Sequence, residues 1–334
     1  MTLREITSSA QWNTFWESYG ANALFQSWLW GDVLQARKEK IWRLGLYEGS
    51  TVVGIALTTL VAAKRGRFLH VRHGPIFVEQ KREYWEFFLS HMRDLVKESN
   101  ALFIRISPLL ADTSDTRQTL SALGFTRAPV HEVDGERCWV LDLDASEDAI
   151  LAAMRKTTRY EIRQAQKLGV EIIVSRDEND LNHFIKLYQS TARRQGFVEH
   201  QGIREEYEIF SGVSQATLIL GTFQGEVIAG ALILFSGNQA IYHHGASIRS
   251  EVPVSYLVQW EAIKLGKIRG MKVYNFWGIA PDDKPNHPWR GHTLFKKGFG
   301  GREIRYIHSQ DLPVSPLYIV PRTIETFRRF VKGY

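Results

Sequence analysis

The sequence predicts an α/β (α+β) protein made of two tandem domains, each a mixed central sheet flanked by helices. Three observations carry that expectation: the length of the chain, a repeated spacing of glycines, and the same succession of segments after each copy. The 334 residues, 44% of them hydrophobic, are too many for one ordinary core and too apolar for disorder. Gly45, Gly49 and Gly54 punctuate LGLYEGSTVVGIALTTL, and Gly221, Gly225 and Gly230 punctuate LGTFQGEVIAGALILF at the same intervals, roughly 175 residues further on. EGS and QGE fall where a turn joins two apolar, β-branched runs, so each copy reads as a β-hairpin.

The segments after each hairpin match in order. An apolar strand comes next (FLHVRHGPIFV, then QAIYHHGASI), then a helix (YWEFFLSHMRDLVKES, then SYLVQWEAIKLGKIRG) and another strand (ALFIRIS, then KVYNFWGI). Each half closes on a Gly-Phe pair, Gly124-Phe125 and Gly298-Phe299. Hairpin, strand, helix, strand, helix and Gly-Phe strand is an order that resembles the GNAT acetyltransferase fold, here twice over. The expected boundaries are a first GNAT-like domain over 1–145 joined by the tail 313–334, and a second over 146–312. A single helix is expected from Ala149 to Leu168, capped by Asp148 and ended by Gly169. The tail from Pro313 should carry an amphipathic helix from about Thr323 to Val331 that crosses back to the first domain.

Composition narrows the function. One cysteine, Cys138, excludes an intramolecular disulfide, and no Cys/His spacing suits zinc, so no metal is expected. MTLREITSSAQW lacks a basic stretch followed by an apolar one, and no apolar run is long enough to span a bilayer, which points to a soluble cytoplasmic protein. A net charge of +6 and a pI near 9.3 suit anionic partners: nucleic acid, nucleotide-sugar phosphates, or the inner face of a membrane.

A working acetyltransferase of this fold needs a Gln/Arg-x-x-Gly-x-Gly/Ala loop, whose backbone N–H groups hold the coenzyme A pyrophosphate at a helix N-terminus. The two junctions read GPIFVEQKREYW and GASIRSEVPVSYLVQ, and neither has it. No cofactor is therefore expected, and coenzyme A least of all; the fold should serve another acyl carrier.

Two stretches narrow the identification: Tyr274-Asn275-Phe276-Trp277-Gly278-Ile279, and Phe295-Lys296-Lys297-Gly298-Phe299-Gly300-Gly301. With FQSWLW, Gly74-Pro75, RKTTRYEIRQAQKLGV, LYQSTARRQGF, YHHGAS and SYLVQ in order along the chain, they resemble the Fem family of non-ribosomal aminoacyltransferases, in a short form without the coiled-coil arm of some members. The resemblance implies transfer of an amino acid from aminoacyl-tRNA to an amine on a peptidoglycan precursor, a UDP-linked or lipid-linked muramyl peptide. It also implies that Phe295 and Lys296 lie beside the reacting ester, and that Tyr256 lines the precursor groove. Two rivals stand beside it: a Fem-like or GNAT-like N-acyltransferase of envelope polysaccharide assembly, and a binding protein without catalysis on the same scaffold.

Other candidates come from position. Arg155, Arg159, Arg163 and Lys167 recur every fourth residue, so they share one helix stripe that could take phosphates or could be an ordinary exposed face. His243 and His244 on a strand should point one to each face; one could be a general base near neutral pH, or both ordinary core histidines. Two departures from the family pattern fall in the first domain. Ser107-Pro108 stands where members often have an acid before proline, so a carboxylate is expected to be missing there. A lysine that follows the early tryptophan in some members is Leu34 here, with Arg37 or Lys38 one turn on to take over the diphosphate. The loop from Asp282 to Pro288 is longer than a turn needs, as both lids and disordered loops are.

Overall fold

The computed structural model describes residues 1–132 and 134–332, with the backbone alone described at Lys332. In the first half, β1 (Thr2–Glu5), α1 (Ser9–Tyr19) and α2 (Trp28–Ala36) precede a hairpin of β2 (Ile41–Glu48) and β3 (Thr51–Ala63). Then come β4 (Gly66–His73), β5 (Ile76–Phe77), α3 (Arg82–Glu98), β6 (Phe103–Pro108), α4 (Ser114–Ala122) and β7 (Thr126–Arg127). The chain continues with β8 (Arg137–Asp142), α5 (Glu147–Ala153), α6 (Lys156–Lys167), β9 (Glu171–Ser175), α7 (Glu178–Gln195) and α8 (Ile203–Gly212). A second hairpin, β10 (Ala216–Phe223) and β11 (Glu226–Ser236), leads into β12 (Gln239–Ser247), α9 (Val254–Ile268), β13 (Val273–Gly278) and α10 (Arg290–Lys297). The last elements are β14 (Arg302–Arg305), β15 (Gln310–Pro313) and α11 (Ile319–Lys332).

The chain divides into two compact units, Met1–Arg137 together with Ile304 onward, and Cys138–Glu303. The two sheets have one topology. The first runs β1-β2-β3-β4-β6-β15-β7, with β5 on β3, and the second, read from its other edge, runs β9-β10-β11-β12-β13-β8-β14. In both, the fourth and fifth strands are parallel neighbours joined by a helix, β4 with β6 through α3 and β12 with β13 through α9. Both hairpins even share a one-residue bulge in the second strand, at Val53 and at Ile228.

The sixth strand of each sheet crosses over from the other half of the chain. β8 pairs antiparallel with β13, and β15 with β6, so the strand from 137 to 142 belongs to the second sheet and that from 310 to 313 to the first. The repeated glycines themselves stand one residue out of step with the repeated fold. The turns are closed by the pairs Glu48–Thr51 and Phe223–Glu226, so Gly49 opens the first turn while Gly225 ends the second. Both glycines have positive φ, 59° and 81°, and Gln224 takes the left-handed position that Gly49 holds in the first turn.

Helices cover the sheets where the apolar spacing demands it. α3 buries Tyr84, Trp85, Phe88, Leu89, Met92 and Val96, at helical intervals, on the first sheet. α9 does the same for the second, and so closely that a Cβ at Gly221 would meet Val254 and Val258. The helix expected over Ala149–Leu168 is broken. α5 starts after Ser146, whose hydroxyl accepts from the Ala149 N–H, and Met154 is extended. The Arg159 guanidinium then donates to the Ala152 and Met154 carbonyls at 2.8 and 2.6 Å, ending α5 by a side chain. α11 is longer than expected and packs in the first unit, where buried Arg105 binds Asp311 at 2.7 Å and Glu325 at 2.7 Å. Among the described residues, no helix is long and apolar enough to cross a membrane.

Candidate active site

In the second unit, α10 is fastened to the end of β13 by one side of its own sequence. The Thr293 hydroxyl accepts from the Ala280 N–H at 2.8 Å, Lys296 Nζ donates to the Gly278 carbonyl at 2.6 Å, and Lys297 Nζ pairs with Asp282 at 2.6 Å. Phe295 then packs edge-on to Tyr256 of α9 at 4.9 Å and to Phe299 at 5.2 Å. Phe295, Lys296 and Tyr256 are thus brought together in the second unit. Lys297 lies over the Trp139 ring at 5.2 Å.

Phe295 and Lys296 line a cavity of about 390 Å³, and Phe295 and Tyr256 line an adjoining cleft of about 540 Å³. The cavity floor holds Tyr242, Gly245 and Gln259; a Cβ on Gly245 would collide with the Tyr242 hydroxyl, so glycine there keeps the space open. Pro288, from the long loop before α10, is part of the wall. Arg194 borders both spaces and Arg249 the cleft, and both side chains are exposed. Burial pushes the Lys296 ammonium down to about 8. A lysine has three donors, and the Gly278 carbonyl uses one, leaving two that can serve an oxyanion or phosphate oxygen.

Beside this space a buried carboxylate gathers three imidazoles. Glu206 of α8 receives His200 at 2.6 Å, His244 at 2.8 Å and His243 at 3.2 Å. A strand without irregularity would have sent the two adjacent histidines to opposite faces, but the register of β12 slips between Tyr242 and His244, and the bulge aims both at one oxygen. The His, His and Glu donor atoms of His200, His244 and Glu206 lie within 4.8 Å of one another, which makes this the group among the described residues that could hold a cation. The imidazoles already satisfy the carboxylate. Their proximity holds Glu206 well below its ordinary value against the cost of burial, and burial pushes His244 down to about 4.

The first unit carries a second buried polar centre. Ser107 donates to Asp134 Oδ2 at 2.6 Å, Arg72 binds Asp134 Oδ1 at 2.8 Å, and His70 lies 3.3 Å from Oδ2. The carboxylate expected to be missing at Ser107 is therefore supplied at hydrogen-bond distance by a residue remote in sequence. Glu136 accepts from the Asp134 N–H at 2.9 Å and from the Ser309 hydroxyl at 2.7 Å. Burial and the neighbouring Asp134 charge push Glu136 up to about 7, while Asp134 is held below its usual range by Arg72, His70 and Ser107 despite burial. Two carboxyls driven apart in this way can hold and release a proton near neutral pH. FQSWLW and Gly74-Pro75 meet here: the Arg72 guanidinium stacks on Phe25 at 3.4 Å, and Gln26 bonds the Leu57 and Arg72 backbones at 2.7 and 2.6 Å.

The remaining candidates lie elsewhere. Arg37 pairs with Glu39 at 3.1 Å, Lys38 is exposed in a left-handed turn, and Leu34 is core. In the α6 stripe, Arg155 donates to the Leu294 carbonyl at 3.2 Å and Arg159 to the α5 carbonyls, which leaves Arg163 and Lys167 exposed. Sequence reasoning missed Asp134, Glu136, Glu206 and Arg194. A lone acid or arginine carries no pattern that marks it as functional.

The buried imidazoles set a pH dependence. His73 and His244 are pushed down to about 4 and His308 to about 3, mainly by burial. Between those values and the ordinary 6.5, the unfolded chain binds protons that the folded one does not, so stability is full above 6.5 and falls on acidification. Glu136 runs the other way, since its folded value is raised, and offsets about one of the three histidines. Denaturant titrations should show a net loss of stability on going from pH 6 to 5, on the order of 1 kcal/mol per pH unit or more. A flat profile there would mean that the histidines are not held neutral.

The FemAB family model matches residues 7–207 and 219–326, so the chain belongs to that family. It is 28% identical over 142 residues to aminoacyltransferase FemA of Staphylococcus epidermidis, a match covering 42% of this chain and 31% of that protein. It is 20% identical over 376 residues to the lipid II:glycine glycyltransferase of the same species, covering 90% of each. The crystal structure of FemX superposes with a TM-score of 0.83 at 18% identity, over 97% of this chain and all of that one. A tandem GNAT protein from the clavulanic acid pathway superposes at 0.56 and 13% identity over 83% of this chain, in keeping with two GNAT-like domains.

Proposed function

We propose, with membership in the FemAB family as the premise, that this chain is an aminoacyltransferase. It moves an amino acid from aminoacyl-tRNA to an amine on the stem peptide of a peptidoglycan precursor, forming an interpeptide bridge. The relatives named as an aminoacyltransferase and as a lipid II glycyltransferase support the reaction class and the precursor. In the reaction the carbonyl carbon gains a bond to the acceptor nitrogen and loses its ester bond to the ribose oxygen, while one proton passes from the amine to that oxygen.

The observation that carries the reading is Lys296, fixed at the rim of the cavity beside Phe295 and Tyr256. In a water-poor setting its ammonium would stabilise the tetrahedral oxyanion more than the ground-state carbonyl, which is what accelerates acyl transfer. The cleft suits the 3′ end of a tRNA, with aromatic faces at Tyr256 and Phe295 for a base and with Arg194 and Arg249 for phosphates.

The test is transfer itself: labelled aminoacyl-tRNAs with a panel of nucleotide-linked muramyl peptides, followed by mass. A product heavier by one aminoacyl residue is expected. Acetyl-coenzyme A should give no melting shift, and a saturable one would overturn the reading, since a ligand at a hundredfold excess adds about 2.7 kcal/mol. Arg194→Ala with Arg249→Ala should weaken tRNA binding and flatten its salt dependence by about 0.7 in log–log slope for each phosphate that is no longer neutralised. An unchanged slope would place the tRNA elsewhere.

A further inference from the structure

α11 is built the wrong way round for a helix on a protein surface. Its packed side is ionic: Glu325 is buried, held by Arg105 at 2.7 Å and by Arg65 at 2.6 Å, and Arg322 donates to the Tyr318 hydroxyl at 3.1 Å. Val320, Ile324, Phe327 and Val331 recur at intervals of four, three and four, so they form one stripe, and Ile319 and Phe330 widen it. That stripe faces solvent. Phe327 is 66% exposed and Phe330 84%. Phenylalanines at such exposure on one contiguous face mark a surface that something covers.

The charges around the stripe say what fits it. Glu325 is the only acid between residues 312 and 332, and it is buried and doubly paired. Arg328 is exposed beside the stripe, with Arg322 and Arg329 half-buried. The β3–β4 hairpin end, tied to α11 through Arg65, adds exposed Lys64 in the turn and Arg67 at the start of β4, in a stretch from residue 59 to 72 that has no acid at all. An apolar face bordered by cations, from two stretches of sequence that carry no exposed acid, matches the boundary between acyl chains and anionic headgroups.

We infer that α11 lies in the plane of an anionic phospholipid bilayer, with Phe327, Phe330, Val320, Ile324 and Val331 among the acyl chains and Arg328, Lys64 and Arg67 on the headgroups. The helix would be an in-plane anchor about 21 Å long, not a span. The use of such an anchor rests on the proposed transferase reading: it holds the enzyme where a lipid-linked precursor is embedded. The docking itself rests on the helix alone.

The test is flotation of the full chain with vesicles of phosphatidylcholine alone or mixed with phosphatidylglycerol, with no substrate present. Binding is expected to the mixed vesicles, weakening as salt is raised. Phe327→Ser with Phe330→Ser should lower it by about tenfold or more, and Arg328→Glu by less, both without moving the melting temperature, because these side chains are exposed. No binding by the wild type, or binding indifferent to the double substitution, would overturn the inference. So would concentration-dependent dimers that the double variant abolishes in a protein that ignores vesicles; the face would then belong to a second copy. Transfer to a soluble nucleotide-linked muramyl peptide, measured in parallel, should be untouched by the double substitution. Flotation without transfer to any acceptor would sink the transferase reading and leave the anchor; transfer without flotation would do the reverse.

Discussion

Lys296→Met is expected to lower turnover on the order of a hundredfold while leaving precursor binding near normal, because its contact is strongest with the oxyanion of the transition state. The neighbouring Lys297→Met is the control. It loses an ion pair to Asp282 and its place over the Trp139 ring, both away from the cavity rim, and should be far milder. The pH profile gives a second readout. With the ammonium at about 8, activity that needs its charge should fall as pH rises through that value, while activity that needs a free acceptor amine rises, so a bell is expected. Lys296→Arg keeps a cation to higher pH and should move the basic limb upward. Equal small effects of the two methionine variants, in a protein shown to transfer, would make the Phe-Lys pair a surface feature.

Arg105→Ala should be the most destabilising single change in the first unit, at about 3–5 kcal/mol. The guanidinium is buried and binds Asp311 of β15 through two nitrogens at 2.7 and 2.8 Å and Glu325 of α11 at 2.7 Å. Removing it leaves two carboxylates in the interior, with Tyr318 and Arg65 as their remaining partners. The strand that crosses over from the second half and the helix that follows it would both be loosened. Chemical denaturation should show the loss, and limited proteolysis should cut near residues 314–320 first. Arg105→Lys should recover only part of it, since one ammonium cannot reproduce the forked hydrogen bonds. A loss below about 1 kcal/mol would mean that the network contributes no more than a surface pair.

The division between what was legible and what was not follows from the range of each interaction. Hairpins, the amphipathic α3 and the order of elements are set by periodicity within a dozen residues, and they could be read directly. The glycine repeat pointed to the right hairpins although it is one residue out of step with them, because a turn tolerates glycine at either central position. The Phe295–Lys296 pair was singled out by a motif that is local in sequence, whereas its contact with Tyr256 of α9 is a tertiary one. His243 and His244 were placed on opposite faces because strict alternation is the rule for a strand; one unpaired residue in β12 overrides it, and nothing local announces that residue.

The sequence by itself determined two α/β halves with a common order of elements, a Phe-Lys helix late in the second, a net positive charge, and junctions without the coenzyme A loop motif. Only the tertiary structure decided that β8 and β15 exchange between the halves, since strand pairing is chosen by which edge is open and not by composition. It also brought Asp134 to Ser107 and Glu206 to three histidines, and turned the apolar face of α11 outward. In each case a buried charge had to find its partners across the chain, and the free energy of leaving it unpaired, which no local pattern records, selected the arrangement.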